Sequence, residues 1–250
     1  MEKFGKVELH LGDCIDIMNS MDKESVDVIV VDLPYGTTQN KWDVIIPFEK
    51  LWDSLLRVTK ETSNMVFTAS QPFTSQLVCS NIKMFRHEII WEKTIGSGQL
   101  NIHHQPLKVH ESILIFNKKL GAYNPQMVEG EPYKIHRKLN KYGVTNYNEQ
   151  KDHTSINDGF RHPRSVIKIS NPRIKGGHKT QKPVELMDFI LRTFSNENDK
   201  VLDCCMGTAS TGISCLKLNR YFVGIEKDPV FYDVSKDRIK YYIEKGSDKY

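Results

Sequence analysis

Four acidic residues sit where predicted strands end, and each is followed by a turn suited to binding. Asp32 closes the mainly β-branched stretch Val26–Val31, broken only by Asp27, and opens the sequence Asp32-Leu33-Pro34-Tyr35, ahead of a polar loop containing Gly36. Asp13 follows Gly12, with Cys14 after it, and Asp203 precedes a small-residue loop with Gly207, Thr208 and Ala209. Glu226 ends the run "YFVGIE" and is followed by Lys227 and Asp228. In open α/β sheets, ligands bind outside the carboxyl ends of the strands. A small-residue turn lets backbone amides approach a ligand, and the following helix N-terminus favours negative charge there. A carboxylate at a strand end can bind ribose hydroxyls. Alone, each signal has a plainer reading: a turn glycine for packing, or an aspartate as a helix cap. Together they fit a nucleoside-containing cofactor with a carboxylate-bearing tail. The loop after Asp203 lacks the GxGxxG spacing of nicotinamide-binding folds, so an oxidoreductase is disfavoured.

The elements that must position these groups follow from periodicity. Strands are predicted at "KVELHLGDC", 26–32, "NMVFTAS", "RHEIIWEKT", "HESILIFNK", "KVLDCC" and "RYFVGIE". Helices are predicted over 14–21, in "IPFEKLWDSLLRVTK", in "PVELMDFILRTFS", in "TASTGISCLKL" and in the closing "DPVFYDVSKDRIKYYIEK", with Pro183 and Pro229 as first-turn prolines. Alternating strands and helices imply an α/β fold, a Rossmann-like, doubly wound, mostly parallel sheet covered on both faces. From about 118 to 165 the pattern breaks down into Tyr, Asn, Lys, Gly and Pro.

At 250 residues the chain holds one sizeable core and a small appended module. Net charge is +4, unevenly spread: 117–182 carries 14 Lys and Arg against 5 Asp and Glu, or +9, leaving 21 against 26, or −5, elsewhere. A basic segment on an acidic body fits a polyanion-binding insert, or else a solvated lysine-rich loop. No apolar run has the length of a membrane span, and the first residues do not read as a signal peptide. Five cysteines without a CxxC pair imply reduced thiols, no metal site and a cytoplasmic location.

The motifs also resemble a family. "DLPY" resembles the Asp-Pro-Pro-Tyr signature of amino-group DNA methyltransferases, and "LDCCMGTAST" is similar to that family's Asp-Pro-Phe-x-Gly-Ser-Gly-Thr cofactor loop. "HKTQKPVEL" resembles the His-Pro-Thr-Gln-Lys-Pro segment that precedes this loop, and the order of the motifs is that of the β-class permutation. The resemblance implies residues 1–117 as the catalytic part, 118–175 as a target-recognition insert and 176–250 as the cofactor-binding part. It implies S-adenosylmethionine as cofactor and double-stranded DNA as substrate, with adenine N6 methylated after the base leaves the stack. An acid at the tetrapeptide's first position resembles adenine enzymes more than cytosine-N4 ones, which usually carry Ser.

In this reading the Asp32 carboxylate and the Leu33 carbonyl accept the two amine protons, Pro34 aims that carbonyl, and Tyr35 stacks on the base. Asp13 would contact the cofactor adenine and Glu226 its ribose, with Cys14 and Lys227 also among the cofactor-binding residues. Asp203, Gly207, Thr208 and Ala209 would face the methionine part, with His178, Thr180 and Lys182 closing over its carboxylate. Lys134, Arg137, Lys138, Lys141, Arg161 and Arg164 would take phosphates. Lys41 and Trp42 read as hinge or DNA contacts, Trp42 more readily as core. Relatives by this resemblance are often dimers, and some act beside a restriction endonuclease. Three departures stand out: Leu33 for the first proline, Cys204-Cys205 for Pro-Phe, and Ala209 for the loop's second glycine, where a β-carbon opposes close approach or a positive φ. None removes a group the chemistry needs, so an active enzyme is expected. The alternatives are methylation of another amine (cytosine N4, RNA adenine, a glutamine side chain) and a non-catalytic DNA-binding relative.

Overall fold

The computed structural model describes residues 1–137, 152–171 and 181–249. In chain order the first unit, Met1–Asn124 with Ser165–Tyr250, contains β1 (Glu2–Phe4), β2 (Val7–Leu11), α1 (Cys14–Ser20), β3 (Val26–Asp32), α2 (Phe48–Val58), β4 (Thr59–Ala69), α3 (Phe73–Ser80), β5 (Phe85–Ser97) and β6 (Lys108–Phe116). The short β7 (Val128–Glu129), β8 (Tyr133–Arg137), β9 (His153–Asn157) and β10 (Phe160–Arg161) belong to a second unit, Pro125–Arg164. The first unit resumes with β11 (Val166–Ile169), α4 (Val184–Phe194), β12 (Lys200–Asp203), α5 (Ser210–Lys217), β13 (Tyr221–Glu226) and α6 (Pro229–Lys245).

The first unit is built on a sheet of order β1-β2-β13-β12-β3-β4-β6-β5-β11. Parallel pairing joins β2 to β13, β13 to β12, β12 to β3, β3 to β4 and β5 to β11; β6 and β1 run the other way. From β3 the chain winds through α2 to β4, whereas from β12 it winds through α5 to β13 on the opposite side. The neighbours β12 and β3 therefore flank a topological switch point, where a crevice opens at the strand ends. Asp203 and Asp32 stand at the ends of these two strands.

Strand alternation explains the two covered faces. Along β3, Val28 and Val30 point into a core with α4, α5 and α6, while Ile29 and Val31 point into a second core with α1, α2 and α3. Burial on both sides requires an unbroken β-branched run, and Val28–Val31 supplies it; Asp27, just before, is only partly buried and takes Lys60 and the Lys200 amide. On α2, Leu51, Trp52, Leu55 and Val58 form the inward stripe.

Three elements escaped the periodicity. Helix α3 buries only Phe73, Thr74 and Leu77 among polar neighbours, and β1 and β11 are very short. The 118–165 stretch is not wholly irregular: β7 pairs with β10, and β8 with β9. Every residue of β8 is exposed, so nothing selects the apolar alternation that would reveal a strand. Arg161 sits 4.6 Å over the Tyr133 ring and donates to Asn157 and to the Glu131 carbonyl, which makes it a brace within this unit.

Candidate active site

Asp32 is the last residue of β3 and pairs in register with Thr68 of β4. Its Oδ1 accepts from Thr68 Oγ1 at 2.5 Å and from Tyr35 Oη at 2.7 Å. Its Oδ2 accepts from Lys182 Nζ at 2.8 Å. A carboxylate has about four lone-pair directions, so these three donors leave one, on Oδ2, for an incoming N–H. Burial works against the Lys182 ammonium, but Asp32, Tyr35 and Glu111 together hold its pKa above the ordinary lysine value. Glu111 links this group to Lys93: Lys93 Nζ lies 2.9 Å from Oε1, and Oε2, buried and without an aligned donor, lies 3.3 Å from Lys182 Nζ. Burial raises the Glu111 pKa, and the two ammonium groups outweigh it, leaving it below the usual range.

Leu33 is buried in the core, and Tyr35 stacks on Phe73 with ring centroids 5.2 Å apart and planes 22° from parallel. Lys182 Nζ lies 5.4 Å from the Tyr35 ring centre. Burial, then the Asp32 charge, push the phenol pKa well above its ordinary value, so Tyr35 remains a donor to Asp32. The turn beyond is fixed by buried Asp43, whose carboxylate accepts from the amides of Gly36 (2.8 Å), Thr37 (3.0 Å) and Thr38 (2.7 Å). Gly36 has φ +65°, and a β-carbon there would lie 2.9 Å from Ile45, so this turn needs glycine. Trp42, read above as core, is 41% exposed. It sits in a turn closed by the Asp43 amide on the Asn40 carbonyl at 3.0 Å, and it belongs to neither core.

The other strand ends build the opposite wall. Glu226 Oε2 accepts from the Gly207 amide (2.9 Å) and Oε1 from the Asp228 amide (2.8 Å), pinning the loop after β12. Burial raises the Glu226 pKa, against the pull of those amides. Asp203 accepts from Thr211 Oγ1 (2.7 Å) and the Cys205 amide (3.1 Å), and burial pushes its pKa up to about 7. Asp13 caps α1 through the Ile15 amide (3.0 Å) and pairs with Lys227 (3.1 Å). Cys14, Cys204 and Cys205 are close neighbours on this wall; the two other thiols lower the Cys14 pKa, while their own are raised.

The carboxylates of both walls face one cleft of about 1720 Å³, lined by Asp13, Asp32, Tyr35, Asp203, Gly207 and Glu226 among others. Single-ligand sites usually measure about 300–1,000 Å³, so this cleft has room for two ligands side by side. Cys14, Leu33, Pro34, Lys182, Thr208 and Lys227 line it too. Ala209 does not: it is fully buried against the α4–α6 core and adopts φ 60°, ψ 40°. The loop thus keeps the left-handed geometry that suits glycine, at a cost of about 1–2 kcal/mol, and turns the β-carbon away from the cleft. Lys182, expected over a cofactor carboxylate, instead lies on Asp32 and Glu111. His178 and Thr180 lie outside the described residues, as do Lys138 and Lys141.

Several neighbours carried no sequence signal: Thr68, Lys93, Glu111, Phe73 and Asp43. So did Arg238, a fully buried guanidinium on α6 that donates to the Thr208 carbonyl at 2.9 Å and to both Asp248 oxygens at 2.8 and 2.6 Å. With its amide turned to satisfy both neighbours, Gln181 also accepts from Arg238, at 3.1 Å, and donates to Thr208 Oγ1 at 2.8 Å.

Proteins of similar sequence and fold are DNA methyltransferases. Type II methyltransferase M1.MboII of Moraxella bovis is 28% identical over 88% of this chain and 91% of its own length. Type II methyltransferase M.HindIII of Haemophilus influenzae is 22% identical over 92% and 94%. Among solved structures, the M1.HpyAVI–SAM complex superposes with TM-score 0.63 at 23% identity, covering 93% of this chain and 99% of that one. The cytosine-N4-specific PvuII DNA methyltransferase gives TM-score 0.66 at 13% identity, covering 94% and 89%. These likenesses establish the fold as that of DNA methyltransferases. The sequence profile described as DNA methylase matches residues 26–237, most of the chain, and the protein belongs to this N6/N4 DNA methylase family.

Proposed function

We propose that the chain transfers a methyl group from S-adenosylmethionine to adenine N6 at a specific site in double-stranded DNA, after the base has left the stack. The observation carrying this reading is the one open acceptor direction of Asp32, in a cleft whose far wall bears Asp13, Asp203 and Glu226. That wall suits the cofactor. Its carboxylates match ribose hydroxyls and a net cationic ligand, and a β-carbon added at Gly207 would meet nothing within 4 Å, so the backbone there is open to approach. When bound, the cofactor supplies an electrophilic methyl on sulfur.

The chain's own residues then act on the amine. An exocyclic amine is a poor nucleophile because its lone pair is delocalised into the ring. Accepting both N–H protons, at Asp32 Oδ2 and the Leu33 carbonyl, favours a pyramidal nitrogen with its lone pair directed at the methyl. Tyr35 offers a stacking partner, worth about 1–3 kcal/mol per base, backed by Phe73. Thr68, Tyr35 and Lys182 fix the Asp32 carboxylate as an orienting acceptor, so catalysis is chiefly positioning and preorganisation.

Asp203 gives this reading a pH signature. In the unfolded chain an aspartate titrates near 3.9; in the fold Asp203 titrates near 7 because it is buried. The protonated form is thus favoured by folding. Its contribution to stability is complete below about pH 4 and is lost as pH rises to about 7. A cationic ligand reverses the preference. Cofactor affinity is expected to rise several-fold, up to about tenfold, between pH 6 and 8, and Asp203→Asn should flatten that profile. Equal slopes by calorimetry in both proteins would remove Asp203 from the cofactor site. Asp32 and Glu226, whose charges also act on Asp203, are present in both.

Methylated-base mapping in cells expressing the protein, with product analysis on oligonucleotides, tests the reaction itself. N6-methyladenine at one sequence context is the expected product. N4-methylcytosine alone would select the second reading, which the PvuII neighbour favours. Residues 118–175 belong to the same proposal as the target-recognition segment, with Lys134, Arg137 and Arg164, all exposed, on phosphates. Changing these three to Gln should weaken DNA binding and reduce the salt slope by about 3; an unchanged slope would place the DNA elsewhere. A second copy of the chain and a companion endonuclease complete the proposal. Sedimentation of the purified protein tests the first.

A further inference from the structure

We propose that the turn joining β5 to β6 is the wedge that enters the duplex when the target base leaves it, with Leu100 as the inserted side chain. This rests on the reading of the cleft as a base-accepting site. The strands close at the pair Ser97–Lys108, and the turn between them is built rather than loose. Gly98 takes φ 91°, residues Gln99–Asn101 form a 3₁₀ turn, and the amides of Asn101, His104 and Gln105 bond back to Gly98 and Asn101 at 2.9–3.0 Å. Gln99 Nε2 donates to the Gly96 carbonyl at 2.7 Å. On this ordered tip Leu100 is 97% exposed and Ile102 55%.

Leu100 and Ile102 share the hairpin with Leu107 and Val109, 43% and 42% exposed; a group of exposed apolar side chains on an ordered tip points to a partner, and three features point to nucleic acid. The stem residues Ile95, Gly96, Ser97, Gln99 and Lys108 line the same cleft as Asp32, so the tip stands next to the site that receives the base. No Asp or Glu occurs from Thr94 to His110, while His103, His104, Lys108 and His110 do; this suits a polyanion. The shape suits the task too. Proteins that unstack a duplex insert Leu, Ile, Phe or Met between base steps, and extrusion of a base leaves a gap for such a group.

The test uses the full-length protein, cofactor and duplexes carrying the mapped target site. Leu100 is solvent-exposed, so Leu100→Ala should fold normally. On a fully paired duplex kcat/KM should fall by about 30- to 100-fold, the cost of unaided unstacking. On the same duplex with a mismatch opposite the target, where the base is already loosened, activity should return to within about threefold of wild type. Equal loss on both substrates, or loss on neither, would overturn the wedge. So would conversion of a dimer to a monomer, which would assign the tip to self-association. Leu100→Trp reads insertion without turnover. Its fluorescence should be quenched by the target duplex, and unchanged emission overturns the inference even where methylation proceeds. Quenching without any methylation by the wild type would instead count against the proposed reaction.

Discussion

Asp32→Ala lowers kcat by on the order of 10³-fold or more while leaving the cofactor dissociation constant within about threefold. The magnitude follows from what a single preorganised hydrogen-bonding group contributes in a dry site, about 10²–10³, with the loss of amine orientation added. The split follows from geometry. Asp32 binds Thr68, Tyr35 and Lys182 on its own side of the cleft, whereas the loop pinned by Glu226 and the cap at Asp13 make no hydrogen bond to it. Removing the carboxylate leaves the buried ammonium groups of Lys182 and Lys93 to share Glu111 alone, so some loss of stability is expected as well, and the rates are compared at a temperature well below the variant's melting point. Asp32→Asn sharpens the measurement. It keeps the shape and one acceptor oxygen but sets an NH₂ group on the other side, and is expected to lie between wild type and Asp32→Ala. Single-turnover rates near wild type for either variant would remove Asp32 from the reaction.

How much of this was legible beforehand depends on how local the cause is. The run Val28–Val31 is β-branched and continuous because both sides of β3 are buried there, so its end, and hence Asp32, could be read directly. The same holds for Asp203 and Glu226, each closing a short apolar strand. That these ends share a cleft also followed, since parallel strands in a doubly wound sheet point one way. Glu111 was hidden because it sits near the start of a strand that runs opposite to its neighbours, in a segment whose apolar half, Ile113–Phe116, dominates the pattern. Lys93 lies on the neighbouring strand β5. Their meeting with Lys182 depends on pairing across the sheet and on a residue some 70 positions further along the chain. The exposed hairpin β8–β9 was hidden for the opposite reason: with no buried face, its sequence carries no period. Ala209 was foreseen as a difficulty, and the loop accommodates it by accepting strain, not by changing course.

The remaining long-range device, Arg238, leads to the second large effect. Asp248→Ala is expected to destabilise the protein by about 3 kcal/mol, because it strands a guanidinium that is fully buried, and breaking a buried pair costs about 3–5 kcal/mol. The lower end applies because Asp248 itself retains 19% side-chain exposure, and water entering the gap would screen the charge. For a chain of this size the melting temperature should fall by about 6–12 °C. The effect should not stop at stability. Arg238 also holds the Thr208 carbonyl and, through Gln181, the residue preceding Lys182, so a guanidinium freed from Asp248 loosens the loop on the cofactor wall and the approach to Asp32 together. At 20 °C, well below unfolding, KM for the cofactor should rise several-fold with kcat changed less, and Asp248→Glu should recover most of both losses. A variant that melts early but binds cofactor like wild type would reduce Arg238 to a structural staple. A cofactor defect without loss of stability would mean that the pair serves the loop alone.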